Sequence, residues 1–123
     1  MNQSEVNKII TEKVLGQCWH EWTGTYSYRP RQCPKCKIFE TYKGSDNPDF
    51  SQWPHYGPLL EKIKASDWFG DFLDWFIKRN RLDEVSLDNA LMVFFDVMTC
   101  IHCDDRHGSF IIAEFVKDME VKR

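Results

Sequence analysis

The spacing of apolar and polar residues changes period twice along the chain. Over residues 4–16, Val6, Ile9, Ile10 and Val14 recur at helical spacing, with Ser4 placed to cap the segment and Gly16 to stop it. From Gln17 the period drops to two. Cys18, His20 and Trp22 alternate with Trp19 and Glu21, the pattern of a half-buried strand. Tyr26 and Tyr28 continue it beyond a turn at Gly24, "RPRQCPK" interrupts it, and "CKIFETY" predicts a second short strand ending at Gly44. "GSDNPDF" is turn chemistry, because Pro48 biases Asn47 away from helix.

From there the helical period returns. Pro58 suits the first turn of a helix carrying Leu59, Leu60 and Ile63. Ser66 or Asp67 can cap the next, whose Trp68, Phe69, Phe72, Leu73, Trp75 and Phe76 make a broad apolar face. Ser86 caps a third, with Leu87, Leu91, Phe94, Phe95, Met98 and Ile101. After Gly108, the positions of Ile112, Phe115, Val116 and Met119 mark a last one. The predicted class is α+β, with a small antiparallel sheet near the N-terminus packed by four to five helices in a single domain, 1–123. Residues 1–44 supply one helix and the strands, and residues 45–123 are mainly helical. Trp68, Phe72, Trp75, Phe76, Leu91, Phe94 and Phe95 are the expected main core, between two helices and the sheet.

Composition agrees with one globular unit: 123 residues, 42% hydrophobic and 15% aromatic. The longest apolar run, "ALMVFF" at residues 90–95, is far short of a membrane span. The polar opening "MNQSEVNKII" has no basic-then-apolar leader, so a cytoplasmic location is expected. Five cysteines is an odd number, and a reducing compartment argues against a disulfide framework. Clustered cysteines in such a chain point to metal or catalysis.

Cys18 and His20 are two positions apart, so an extended backbone sends both side chains to one face. Twelve residues intervene before Cys33-Pro34-Lys35-Cys36, a knuckle whose tight turn aims two sulfurs at one point. Together they form C-x-H-x12-C-x2-C, four ligands suited to a tetrahedral zinc knuckle. All four vertices come from protein, so a structural ion is expected and not a catalytic one. Arg29, Arg31, Lys35 and Lys37 would offset the negative charge of three thiolates and an imidazole around zinc. Other readings stay open. The four groups could be buried core residues. "CPKC" has the form of a glutaredoxin site, although no strand-to-helix context follows it. A zinc deaminase would need H-x-E and P-C-x-x-C, whereas His20 and Glu21 are adjacent and Gln32 precedes Cys33. Cys100 and Cys103 offer an alternative second pair for Cys33 and Cys36, or pack as core residues on a helix continuing from Met98.

The residues "VLGQCWHEW", then a C-x-x-C, then "NPDF", then Leu59-Leu60, then "DWFGDF" are similar to those of small uncharacterised bacteriophage proteins. That family opens with an L-G-x-C-W-H-E stretch and runs through the knuckle to an E/D-W-x-x-F helix. It also looks related to the phage α-β-α sandwich domain. The resemblance covers residues 12–76, while residues 77–123 are longer and more helical than its pattern. It implies a phage origin and a life in the host cytoplasm, and it carries no activity.

No Gly-rich phosphate loop, G-x-S-x-G or H-E-x-x-H is present, so no enzyme activity is expected. Asp67, Asp71 and Asp74 share one helical face, but neighbouring Lys78 and Arg79 favour a solvated surface over an ion site. Charge is divided: residues 1–43 carry seven bases against four acids, and the rest nine against fifteen. The expected function is a phage accessory protein that binds and inhibits or redirects a host factor, such as a defence component of the CRISPR type. Asp67, Asp71, Asp74, Asp83, Glu84 and Asp88 would face a basic, nucleic-acid-binding partner. The alternative is a zinc-stabilised nucleic-acid-binding module using Arg29, Arg31, Lys35, Lys37 and Lys43, with Trp19, Tyr26 or Tyr28 stacking on bases. A net charge of −3 weighs against it.

Overall fold

A computed structural model describes residues 1–22, 31–39, 47–100 and 108–121. Among these are five α-helices: α1 (Gln3–Ile9), α2 (Trp53–Lys64), α3 (Phe69–Arg79), α4 (Leu87–Thr99) and α5 (Gly108–Val121). α1 runs on into a π turn, Ile10–Val14, and a 3-10 turn, Leu82–Glu84, joins α3 to α4. The expected α+β class is wrong, since no strand or sheet occurs among the described residues. An isolated antiparallel bridge, Gln32 to Phe39, closes the loop that carries Cys33 and Cys36. Residues 17–22 follow no regular element. The alternation that suggests a strand there arises from two ligands facing one point, and not from a sheet face. Tyr26, Tyr28 and the end of "CKIFETY" lie outside the described residues.

Helix boundaries follow local chemistry. Asn2, not Ser4, caps α1, its Oδ1 accepting the Glu5 N–H at 2.8 Å. Gly16 ends the π turn with φ +63°, as its position predicts. α2 begins at Trp53, five residues before the expected start. Pro54 occupies its first turn, where a missing N–H costs little, and Pro58 is carried inside the helix. Ser86 does cap α4, accepting the Asn89 N–H at 3.3 Å.

The core is an aromatic cluster where α3, α4 and α5 meet. Phe72 is fully buried, with ring centroids of Phe94 at 5.7 Å and Phe115 at 5.0 Å. Phe76 stands edge-on to Phe94 at 5.1 Å. Of the expected core, Phe72, Phe76 and Phe94 are buried, Trp68, Trp75 and Leu91 are half-buried, and Phe95 is exposed. Val6, Ile10, Phe50, Tyr56, Leu59, Ile63, Met98 and Ile112 complete the interior. Residues from α1, α2 and the 47–50 segment thus take the place assigned to the sheet.

Tyr56 ties three elements together. Its hydroxyl donates to the Met98 carbonyl at the end of α4, and burial pushes its ionisation well above the ordinary range. Gly108, first residue of α5, lies against that hydroxyl. A Cβ there would land on the Tyr56 oxygen and stand 2.9 Å from the Met98 carbonyl oxygen. Gly108→Ala is therefore expected to destabilise the protein by about 1–3 kcal/mol. Denaturant unfolding of Gly108→Ala alone and combined with Tyr56→Phe checks this. The second change removes the obstructing oxygen, so the two effects should not add.

Candidate metal centre

Four side chains converge on one point. The candidate ligand atoms of Cys18, His20, Cys33 and Cys36 all lie within 4.8 Å of one another, close enough to hold a metal ion. The Cys18 and Cys33 sulfurs are 3.7 Å apart, and Cys36 Sγ is 3.3 Å from His20 Nδ1. In a tetrahedral centre with sulfur at about 2.3 Å and nitrogen at about 2.0–2.1 Å, sulfur–sulfur edges are roughly 3.8 Å and sulfur–nitrogen edges roughly 3.5 Å. The Cys18–Cys33 and Cys36–His20 edges, 3.7 and 3.3 Å, are close to those values. All three sulfurs are free thiols, and 3.7 Å is far beyond a disulfide bond.

The knuckle is shaped by its own backbone. The Cys33 N–H donates to Ile38 O at 3.0 Å, and the Lys37 N–H donates back to Cys33 O at 2.8 Å. Gln32 Nε2 also donates to Lys37 O at 2.9 Å. The turn requires Lys37 to adopt φ +67°, a left-handed conformation unusual for a residue with a side chain. In return, N–H groups point at the Cys33 sulfur. Burial works to raise the Cys33 ionisation, but the N–H groups of Cys36 and Glu21, the His20 ring and the Lys35 N–H outweigh it and hold the thiol down at about 5. Cys18 goes the opposite way. Burial, then the adjacent Cys36 and Cys33 sulfurs, push its thiol up to about 12. A second thiolate beside the first is costly, and a divalent cation between them removes the cost.

A further set of residues positions these ligands. Asn47 brackets the His20 peptide: its Oδ1 accepts the His20 N–H at 2.7 Å, and its Nδ2 donates to His20 O at 2.9 Å. A side-chain amide thus supplies the pairing that a neighbouring strand would have given. The Asn47 segment is in turn fastened to α1, where buried Asn7 accepts the Phe50 N–H at 3.0 Å and donates to Asp49 Oδ1 at 3.3 Å. Trp22 stacks on the His20 ring at 5.0 Å. Across the outer side, Glu21 bridges Lys8 at 3.1 Å and Lys35 at 3.3 Å, and hydrogen bonds from these two lysines lower its carboxyl ionisation. These ion pairs are exposed and each contributes little energy. Sequence reasoning missed Asn7 and Asn47, because both act on backbone groups and leave no spacing signal.

Asn47→Ala is expected to keep the helical core while loosening His20, weakening metal binding by about 10–100-fold. A competition titration against a chromophoric chelator, with far-ultraviolet circular dichroism as the fold control, checks it.

The other predicted residues are dispersed. Cys100 is the C-cap of α4, so the helix does not continue through it, and it is disulfide-bonded, which corrects the expectation of free thiols throughout. It stands apart from the cluster, and Cys103 lies outside the described residues. Asp74 pairs with Lys78 at 2.9 Å, and Asp83 also acts on Lys78. Asp67, Asp71, Glu84 and Asp88 are exposed. Of the basic set, Lys35 is engaged with Glu21 and with Glu12 at 3.8 Å, Lys37 is exposed and Arg31 is half-buried. Arg29 and Lys43 lie outside the described residues. No helix among the described residues is long and apolar enough to cross a membrane. No family model, curated protein or solved structure matches the chain.

Proposed function

We propose that this chain is a zinc-stabilised binding protein of bacteriophage type that grips a host factor in the host cytoplasm and has no turnover of its own. The observation that supports it most is the Cys18, His20, Cys33 and Cys36 set. Three sulfurs and one imidazole nitrogen within 4.8 Å of one another suit zinc, and with four protein donors no vertex would be left for a reacting water. The phage resemblance adds to this reading in one respect. Its "LGQCWHE", C-x-x-C and "NPDF" segments, distant in sequence, are the three pieces that meet at this centre, with Asn47 holding His20. Such a motif set has a purpose in building the fold, and the binding work then falls to the helical half.

The exposed carboxylates of that half favour a basic partner, such as a host protein that itself binds nucleic acid. The test is affinity capture from host lysate with zinc quantified in the same sample. Reversing the charge of Asp67, Asp71, Asp74, Asp83, Glu84 and Asp88 should abolish capture, and reversing Arg31, Lys35 and Lys37 should not. Direct binding of DNA or RNA at physiological salt, lost with the basic reversals, would replace this reading with the nucleic-acid one. Against that alternative stands the engagement of Lys35 with two carboxylates.

A further inference from the structure

Between α3 and α5, beside the π turn that follows α1, is an open groove of about 890 Å³. Its floor is apolar: Trp68, Trp75, Val116 and Met119 are half-buried over the buried ring of Phe115. The cations around it are already matched. Lys13 pairs with Glu120 at 3.3 Å, Lys78 with Asp74 at 2.9 Å and Arg79 with Glu114 at 2.7 Å, while the Arg79 guanidinium also covers Trp75 at 5.0 Å. The Trp75 indole N–H donates to Asp118 at 2.7 Å. Asp71 on the groove edge is exposed and has no partner among the described residues, and Asp67, just ahead of Trp68, has none either.

We infer that this groove is the docking site for a basic amphipathic segment of a partner protein. Apolar side chains of that segment enter over Trp68 and Trp75, and its lysines or arginines pair with Asp71 and Asp67. The inference rests on the partner-binding reading above and names the surface that does the binding. Two features favour this occupant. The floor is a hydrophobic depression of a size that takes a set of anchoring side chains. Asp71 and Asp67, exposed and without a partner among the described residues, put negative charge beside it, so an acidic or neutral segment gains nothing from them.

The zinc-loaded full chain, labelled with nitrogen-15, is titrated with a synthetic 18-residue amphipathic peptide of leucine and lysine, and separately with its leucine–glutamate counterpart. The expected result is movement of the Trp68 and Trp75 indole N–H signals with the lysine peptide alone, weakening as salt rises. Asp71→Lys, at an exposed position, should reduce the affinity by about three- to tenfold. Met119→Ala, on the floor, should weaken it without changing its salt dependence. If the indole signals stay fixed, or move equally with the glutamate peptide, the groove assignment fails. Leu87 and Met92 are exposed apolar residues of α4, and shifts confined to them would also overturn it, while leaving the broader reading of a partner-binding protein intact. Lysate capture lost in the six-residue charge reversal but unaffected by Asp71→Lys and Met119→Ala would give that same separation.

Discussion

Cys33→Ser is expected to reduce bound metal from one ion per chain to near none and to unfold the N-terminal metal-bearing segment. Cys33 is fully buried at the focus of the four ligands. Serine offers a harder, shorter donor that cannot reach or hold a thiophilic ion at that spacing. Structural zinc contributes on the order of 10–16 kcal/mol of apparent binding energy in small domains, and that energy is folding energy. Elemental analysis of protein purified without added metal measures the first effect. Loss of protease resistance around residues 17–39 measures the second. A strong chelator should reproduce both effects in the unaltered chain. Cys100→Ser should reproduce neither, and loss of metal in that variant would refute the ligand assignment.

The second large effect belongs to Phe72→Ala. Phe72 has no exposed surface and touches rings from three directions: Phe94, Phe115 and, at 6.1 Å, both Trp68 and Trp75. Phe72 of α3 stacks on Phe115 of α5 and meets Phe94 of α4 edge-on, and filling its volume would require all three helices to shift. A loss of about 3–5 kcal/mol is expected. Against a total stability of about 5–15 kcal/mol this is a large share. It should lower the melting temperature by roughly 10–20 °C. Phe95→Ala is the control. Phe95 is 43% exposed, stands edge-on to Phe94 at 5.5 Å and lies under Lys64, so the change should cost about 1 kcal/mol. Calorimetry of the two variants side by side gives the contrast.

What the sequence revealed depended on whether a residue's task sets a spacing. The convergence of Cys18, His20, Cys33 and Cys36 is legible because coordination geometry demands two residues on one face and a two-residue turn, and both demands show as numbers along the chain. The aromatic helix at Trp68–Phe76 was legible for a similar reason, since a buried face repeats. The expected sheet is absent among the described residues, where Cys18, His20 and Trp22 satisfy the same alternation that a strand requires without forming one. Nothing in the pattern separates a ligand pair from a pleat. Asn47 carries only a turn signal in sequence, yet its amide stands in for a neighbouring strand by pairing with the His20 peptide. Pro58 reads as a helix start in sequence because an internal proline is unfavourable. Pro54, four residues earlier, already occupies the first turn and lets α2 begin there. Phe95 and Phe94 are adjacent on α4 with opposite burial, a distinction set only by which neighbours α4 meets.

The four ligands are unequally sheltered: Cys33 is buried, Cys18 and His20 are half-covered, and Cys36 faces solvent. For an ion held here, affinity would depend on all four bonds, but the speed of exchange would be set by the first bond to open. An incoming chelator thiol or an oxidant would meet Cys36 before any other of the four. Tight retention and rapid handover would therefore be compatible in this centre, with its lifetime governed by a single outward-facing sulfur and its equilibrium by the whole set.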